Sequence, residues 1–164
     1  MTRTRSLTLS AALLVVVAIP LTASAESTAV SSRAVVKVAF NKKLNKSILV
    51  DGRGLTLYMY VADSPRQPTC YNDPTYHCSK AWPPLLTTGA PRGQGVKASL
   101  LGVAKRKGGG VQVTYNGHPL YTDAGAKTVG LVRDKKPGDV NGQGFLSIWY
   151  VLSPKGTPIR AMPG

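Results

Sequence analysis

Short runs of β-branched, apolar and aromatic residues recur along this chain, and turn-forming residues such as Gly, Pro and Asn separate them. Runs of about four to eight such residues are typical of β-strands, whereas the signals that mark helices are scarce. The runs occupy residues 33–40, 47–50, 55–61, 111–115 and 145–152, and residues 96–105 favour a strand over a short helix. The sequence therefore predicts an all-β fold.

The two halves of the chain resemble each other. "ILVDGRGLTLY" in the first half and "VQVTYNGHPLY" in the second are each followed, after a loop, by a segment that contains a tryptophan. Tyr121 follows Tyr58 by 63 positions and Trp149 follows Trp82 by 67, so the second loop is four residues longer. Two units are too few for a solenoid. We therefore expect two degenerate repeats of three to four strands, packed into a small closed sheet or sandwich.

The first 25 residues are predicted to be a secretory signal peptide. Arg3 and Arg5 precede an apolar run, and residues 23–25 supply the small side chains expected before a cleavage point. The run contains Pro20 and is shorter than the roughly 20 apolar residues that a membrane-spanning helix needs. We therefore expect cleavage near Ala25 and a secreted mature protein without a transmembrane anchor.

Removal of this leader leaves 139 of the 164 residues, the size of one domain. The glycine-rich passage 87–95 is interpreted as a hinge between the halves, and Asn116-Gly117 as a hairpin turn. The predicted segments are an N-terminal stretch with the first strand (26–46), repeat 1 (47–88), a hinge and hairpin (89–110), repeat 2 (111–153) and a C-terminal tail (154–164).

Basic residues dominate the charge. The chain has 21 Lys and Arg against seven Asp and Glu, and loss of Arg3 and Arg5 with the leader leaves a net charge of +12. The basic residues cluster at 42–46, 105–107 and 133–136. These clusters suit either solvated loop tips or a surface that binds anionic cell-wall or envelope polymers. We expect no specific nucleic-acid partner, because charge-driven binding is mostly non-specific and the protein is predicted to be secreted.

The two cysteines of the chain, Cys70 and Cys78, are predicted to form a disulfide. An even number of cysteines in a secreted chain favours that bond, which stabilises a fold by about 2 to 4 kcal/mol. The alternative is an extracytoplasmic redox or metal-handling role in which both cysteines act with His77 and His118. Zinc sites usually combine two clusters of paired ligands, and this chain offers one.

Tyr58, Tyr60 and Asp63 form a Tyr-x-aromatic-x-x-Asp motif, and the cysteine pair ahead of "WPPL", the "YNGHPLY" block and the "PGDVNGQG" block follow it. In these blocks the chain resembles the secreted repeat family of predicted bacterial lipoproteins, over nearly all of residues 48–152. The resemblance implies no established biochemical activity. The second motif copy departs from the pattern, with Asp123 in place of the aromatic residue and Ala126 in place of the aspartate. The lipid-bearing cysteine that the family name suggests is absent as well.

The motif permits two interpretations. Residues i and i+2 of a strand share a face, so Tyr58 and Tyr60 would form one aromatic platform, while Asp63 suits an Asx-type turn. Either these side chains pack and cap, or they form an exposed ledge that stacks a sugar ring or grips a cationic group. The candidate binding residues are Tyr58, Tyr60, Asp63 and His118.

The run from Asp139 through Asn141 to Gln143 resembles the opening of a calcium loop. Such a loop also needs a bidentate glutamate at its twelfth position, which is Tyr150 here. A turn is the preferred interpretation, with these three side chains as the alternative metal site. Otherwise we expect no metal and no cofactor.

Catalytic machinery is thin in this sequence. The mature chain has one glutamate, Glu26, and no nucleophile motif accompanies His118. We therefore expect a non-catalytic binding or cell-envelope-associated module. The alternatives are the redox or metal-handling protein described above and a hydrolase that uses His118 with an aspartate.

Overall fold

The computed structural model describes residues 33–72, 74 and 77–164, so the predicted signal peptide lies outside the described part. Within this part the strands are β1 (Val35–Asn41), β2 (Lys46–Asp51), β3 (Tyr58–Tyr60), β4 (Arg92–Gln94), β5 (Leu101–Lys105), β6 (Val111–Tyr115), β7 (His118–Pro119) and β8 (Trp149–Val151). Helix in the same part is limited to α1 (Cys78–Ala81) and three 3₁₀ turns at Ala98–Leu100, Lys127–Val129 and Phe145–Ser147. None of these helices could span a bilayer. The predicted strand-rich fold is confirmed.

The strands form three small sheets. β1 and β2 make an antiparallel hairpin, and β4 runs parallel to β1 on its other side. β3 pairs antiparallel with β8, while β5, β6 and β7 form an antiparallel meander. The described strands do not close into a barrel, so the closed sheet, one of the two predicted arrangements, is not formed.

Proline ends one strand early, and glycine allows another strand to form. Pro119 has no N–H group to extend a ladder and ends β7 after two residues. β4 forms within the passage that the sequence predicts as a hinge, and a Cβ on Gly93 would approach a Val96 methyl to 2.5 Å. Because glycine permits this close approach, the passage packs as a strand beside β1.

A short antiparallel bridge joins β3 to the segment that follows β7. The Tyr58 N–H donates to the Tyr121 carbonyl at 2.9 Å, and the Tyr121 N–H donates to the Tyr58 carbonyl at 3.0 Å. The two tyrosines occupy matching positions in the two similar halves of the sequence. The bridge therefore brings the two halves into direct backbone contact.

Two groups of buried side chains form the core. Tyr58 belongs to one group, while Leu57 and Met59 belong to the other, which is the alternation that a strand requires. The first group contains the rings of Tyr58, Trp82, Tyr121 and Trp149, with Tyr60 packed against it, and we call these five side chains the aromatic cluster. The second group includes Val36, Leu49, Leu57, Val113, Tyr115, Leu120 and Leu152. Each group draws residues from both halves of the sequence.

The predicted disulfide is confirmed. Cys70 and Cys78 are bonded, with their Cα atoms 5.3 Å apart, and Cys70 is 1% exposed. The bond packs against the aromatic cluster at the start of α1. Because both sulfurs are consumed by this bond, the alternative metal site built on the two cysteines has no thiolate ligands.

Candidate functional site

The aromatic cluster holds the tyrosines of the sequence motif. Trp82 and Trp149 stack with ring centroids 3.9 Å apart, and Tyr60 stacks on Trp149 at 4.5 Å. Tyr58 meets Trp82 edge-on at 5.3 Å, and Tyr121 meets Trp149 edge-on at 5.2 Å. Tyr58 is fully buried and offers no face to solvent, whereas Tyr60 is half-buried. An exposed ledge of two tyrosines is therefore not formed, and Tyr58 follows the packing interpretation.

Tyr60 keeps part of its ring accessible. It lines a pocket of about 340 Å³ together with Thr69, Phe145 and the disulfide. Leu146 also lines this pocket, is 67% exposed, and has a φ of 50°, which is uncommon for a residue with a branched side chain. Of the two tyrosines in the motif, Tyr60 is thus the one with an open side.

The buried Tyr58 hydroxyl is bonded to a carboxylate from the second half of the chain. Its Oη donates to Asp134 Oδ2 at 2.7 Å and accepts from the Gly142 N–H at 3.3 Å. The Asn141 N–H donates to Asp134 Oδ1 at 2.9 Å, so both oxygens of this carboxylate are engaged. Burial raises the pKa of the Asp134 carboxyl, and burial together with the Asp134 charge raises the pKa of Tyr58.

The Tyr121 hydroxyl makes the matching bond to the first half. Its Oη donates to Asp63 Oδ2 at 2.9 Å, while Asp63 Oδ1 accepts from the Thr69 N–H and Oγ1 at 2.7 Å each. Burial raises the pKa of Asp63, although the bonds from Thr69 and Tyr121 oppose the rise. Desolvation lowers the pKa of His118, and the charge of Asp63 opposes that shift, so these two predicted binding residues lie near each other.

Each tyrosine hydroxyl therefore donates a hydrogen bond to an aspartate, although the second motif copy has no aspartate at the expected position. Asp134 lies 13 positions after Tyr121, whereas Asp63 lies five positions after Tyr58. Motif spacing alone misses Asp134, because an aspartate displaced by extra loop residues no longer matches a fixed pattern. The four-residue lengthening of the second loop does not locate it either, because Asp134 is displaced by eight positions.

A third aspartate, Asp123, lies buried beside Asp134. It is 4% exposed, and its Oδ1 accepts from the Gly125 N–H at 2.7 Å, but Oδ2 has no hydrogen-bond partner among the described residues. A Cβ on Gly142 would come within 3.1 Å of this oxygen and 2.5 Å of the Trp82 ring, so only glycine fits there. Burial raises the pKa of Asp123 to about 7, and the Asp134 charge adds to the rise.

The side chains of the alternative metal site are engaged by different backbone groups. Asp139 Oδ2 accepts from the N–H groups of residues 135–136 at 3.0 and 3.2 Å. Gln143 Oε1 accepts from the Val151 N–H at 2.9 Å, and its Nε2 donates to two carbonyls near the C-terminus. Asn141 Nδ2 donates to a carbonyl of the preceding loop at 3.1 Å. Residues 141–144 form a turn, the preferred interpretation of the run, and the Asn141 and Gln143 side chains bond to segments eight or more positions away.

The acidic side chains of the described part are buried or half-buried, whereas its basic side chains are mostly exposed. Three described aspartates, Asp51, Asp123 and Asp134, are buried, and Asp63 and Asp139 are half-buried. Of the 21 Lys and Arg, all except Arg3 and Arg5 lie in the described part, and every one of these is exposed except the half-buried Lys37 and Arg106. The described residues contain one salt bridge, from Arg53 to Asp51 at 2.8 Å. The described surface therefore carries mostly positive charge.

Two of the three basic clusters meet in space. Lys42 and Lys43 in the turn after β1, and Lys136, 93 positions after Lys43, line one groove of about 520 Å³. Hydrogen bonds fix its walls, because Asn41 Nδ2 donates to the Gly138 carbonyl at 3.1 Å. We call this the basic groove, and its lining also includes Phe40 and Asp139.

The third basic cluster has a different environment. Arg106 donates to the Cys70 carbonyl at 2.6 Å and lies 4.5 Å from the centroid of the Tyr71 ring, so it braces the disulfide loop. Lys105 and Lys107 are exposed on either side of it in the sequence. Neither lysine lines the basic groove.

Comparison with protein-family models, with curated proteins and with solved structures finds no match for this chain. The resemblance to the lipoprotein repeat family therefore stays a prediction. The function has to be argued from the geometry and charge of the described residues.

Proposed function

We propose that this chain is a secreted, non-catalytic module that binds anionic polymers of the cell envelope through its positive surface. The proposal rests on the distribution of charge, because the described aspartates are buried or half-buried while nearly all described Lys and Arg are exposed. Asp134 and Asp63 are engaged by tyrosine hydroxyls and backbone N–H groups, and among the described aspartates Asp139 is the one that lines the basic groove. An approaching polyanion therefore meets a surface of predominantly one sign.

The size of the charge supports a binding role over solubility alone. A small domain stays soluble with a net charge of about 2 to 8, and additional charge of one sign destabilises the fold by self-repulsion. The net charge of residues 26–164 is +12, because 19 Lys and Arg face seven Asp and Glu. A partner of opposite charge accounts for this excess.

The proposal is tested by the salt dependence of binding. The mature protein, residues 26–164, is passed over a surface coated with dextran sulfate at several NaCl concentrations, with uncharged dextran as the control. If several Lys and Arg displace counterions from the polymer, the logarithm of affinity falls linearly with the logarithm of salt concentration, with a slope of several units. The uncharged polymer should not retain the protein.

Two results would contradict the proposal. One is a failure to bind the sulfated polymer at low salt. The other is binding that does not weaken as the salt concentration rises, since that would place the affinity in uncharged contacts rather than in the exposed Lys and Arg.

We also infer that the chain is built of two degenerate repeats and belongs to the repeat family it resembles. Tyr58 and Tyr121 exchange backbone hydrogen bonds, and each lies edge-on to one tryptophan. Each hydroxyl also donates to an aspartate of the opposite half. Matching contacts at matching positions support an internal duplication.

Secretion has its own test. The full chain is expressed in a secreting bacterial host, and the protein in the medium is analysed by mass spectrometry. We expect the mass of residues 26–164 with one disulfide. A product that retains residues 1–25 would contradict the predicted cleavage.

A further inference from the structure

We propose that the basic groove binds sugar units of an anionic glycan, a polymer whose saccharide rings carry phosphate, sulfate or carboxylate groups. This inference rests on the proposed function and narrows it from a charged surface to one site and one ligand class. It is carried by the juxtaposition of Phe40, Lys42, Lys43, Lys136 and Asp139 in one groove.

The lysines supply the attraction for the anionic groups. Lys42 and Lys43 lie on one wall and Lys136 on the other, so an anion in the groove is approached from two sides. The walls are tied by the bond from Asn41 to Gly138 and by Thr56 Oγ1, which donates to the Asp139 carbonyl at 2.6 Å. Because the backbone of both walls is held before binding, less ordering is needed when a ligand enters.

Phe40 supplies a surface for the sugar ring itself. Its side chain is 62% exposed, and it is the one aromatic residue among the exposed large hydrophobic residues of the described part. Its cross-strand neighbour is Ser47, which is too small to cover it. A sugar ring has a face of C–H groups that packs on an aromatic ring, whereas a bare phosphate chain has none.

Asp139 favours a saccharide over an anion without hydroxyl groups. Backbone hydrogen bonds from Lys135 and Lys136 lower the pKa of Asp139, so its carboxylate stays ionised. In a groove for a bare polyanion this charge would repel the ligand. In a groove for a sugar it accepts hydrogen bonds from hydroxyl groups, as a carboxylate does.

Binding of the mature protein to three probes tests the inference: dextran sulfate, uncharged dextran and inorganic polyphosphate. The variant K42Q/K43Q removes two charges from the groove, and K105Q/K107Q removes two exposed charges elsewhere as the matched control. We expect the groove variant to lose about ten-fold or more of its affinity for dextran sulfate, and the control about three-fold or less.

The variant F40S tests whether Phe40 packs against a sugar ring of the ligand. It should weaken binding to dextran sulfate about five-fold and leave binding to polyphosphate unchanged. All five substituted side chains are exposed, so thermal unfolding of each variant should match that of the wild type.

The outcomes separate the two proposals. If K42Q/K43Q and K105Q/K107Q lost affinity by equal factors, the inference that the basic groove is the binding site would be wrong. The charge-driven function would still hold. If F40S weakened binding to dextran sulfate and to polyphosphate equally, the inference that the groove recognises a sugar ring would be wrong. A wild-type protein that binds neither charged probe would overturn the proposed function and this inference together.

Discussion

The two tyrosine–aspartate hydrogen bonds have similar lengths and unlike surroundings. In the buried pair, Tyr58 and Asp134 are both inaccessible to solvent, and a second buried carboxyl, Asp123, lies beside them. In the outer pair, Tyr121 is buried but Asp63 is half-exposed and has a threonine as an additional donor. If the outer bond is lost, solvent can reach Asp63 and both Thr69 bonds remain, whereas the buried pair is closed to solvent.

The comparison predicts that two hydrogen bonds of similar length contribute differently to stability. The two distances, 2.7 and 2.9 Å, are nearly the same. The cost of breaking a bond depends instead on whether the group left behind can reach solvent or another partner. Single substitutions in the two pairs therefore test whether burial or bond length determines how much each hydrogen bond contributes to stability.

The largest effect is expected from Tyr58→Phe. This change leaves Asp134 Oδ2 and the Gly142 N–H without their partner in a buried site, so we expect the free energy of unfolding at pH 7 to fall by about 3 kcal/mol. The matched change Tyr121→Phe should cost about 1 kcal/mol, because Asp63 keeps both bonds from Thr69. Urea denaturation of both variants measures the difference, and equal costs would remove the distinction between the pairs.

Removal of the disulfide is the next test, because Cys70 follows Thr69, which donates two hydrogen bonds to Asp63 of the outer pair. Replacing Cys70 and Cys78 with alanine should lower the free energy of unfolding by about 2 to 3 kcal/mol. Thr69 directly precedes Cys70, so its bonds to Asp63 should weaken when the disulfide is removed. In this background Tyr121→Phe should change stability differently from its effect in the parent protein, while the cost of Tyr58→Phe should stay the same. A change in the Tyr58→Phe cost would show that the pairs are coupled.

Local rules predict part of this structure and fail where distant segments meet. Most of the strands, the disulfide and the alternation along β3 follow from residue patterns within short windows, whereas β4 lies in the passage predicted as a hinge. The bond from Tyr58 to Asp134 joins residues 76 positions apart, and a motif defined within one half cannot contain it. The basic groove is similar, since Lys43 and Lys136 belong to clusters that look like separate loop tips in the sequence. Packing, rather than local preference, brings these residues together.

A pH-dependent effect, smaller than that of Tyr58→Phe, should come from the carboxyl beside the buried pair. Burial raises the pKa of Asp123 to about 7 from an ordinary value of 3.8 in the unfolded chain. Between these values the folded protein holds a proton that the unfolded chain has lost, so stability falls as the pH rises. Each pKa unit corresponds to about 1.4 kcal/mol, and because solvent screens part of the interaction we expect a loss on the order of 2 kcal/mol between pH 4 and pH 8.

The substitution Asp123→Asn isolates this effect. Asparagine has nearly the same shape and no charge, so the decline in stability between pH 4 and pH 8 should shrink, and the variant should be more stable than the wild type at pH 8. A smaller decline should persist, because burial also raises the pKa of Asp134 and of Asp63. Urea denaturation across this pH range measures both slopes. Identical slopes in the two proteins would mean that Asp123 is ionised in the folded state, and the asymmetry between the pairs would then rest on hydrogen bonding alone.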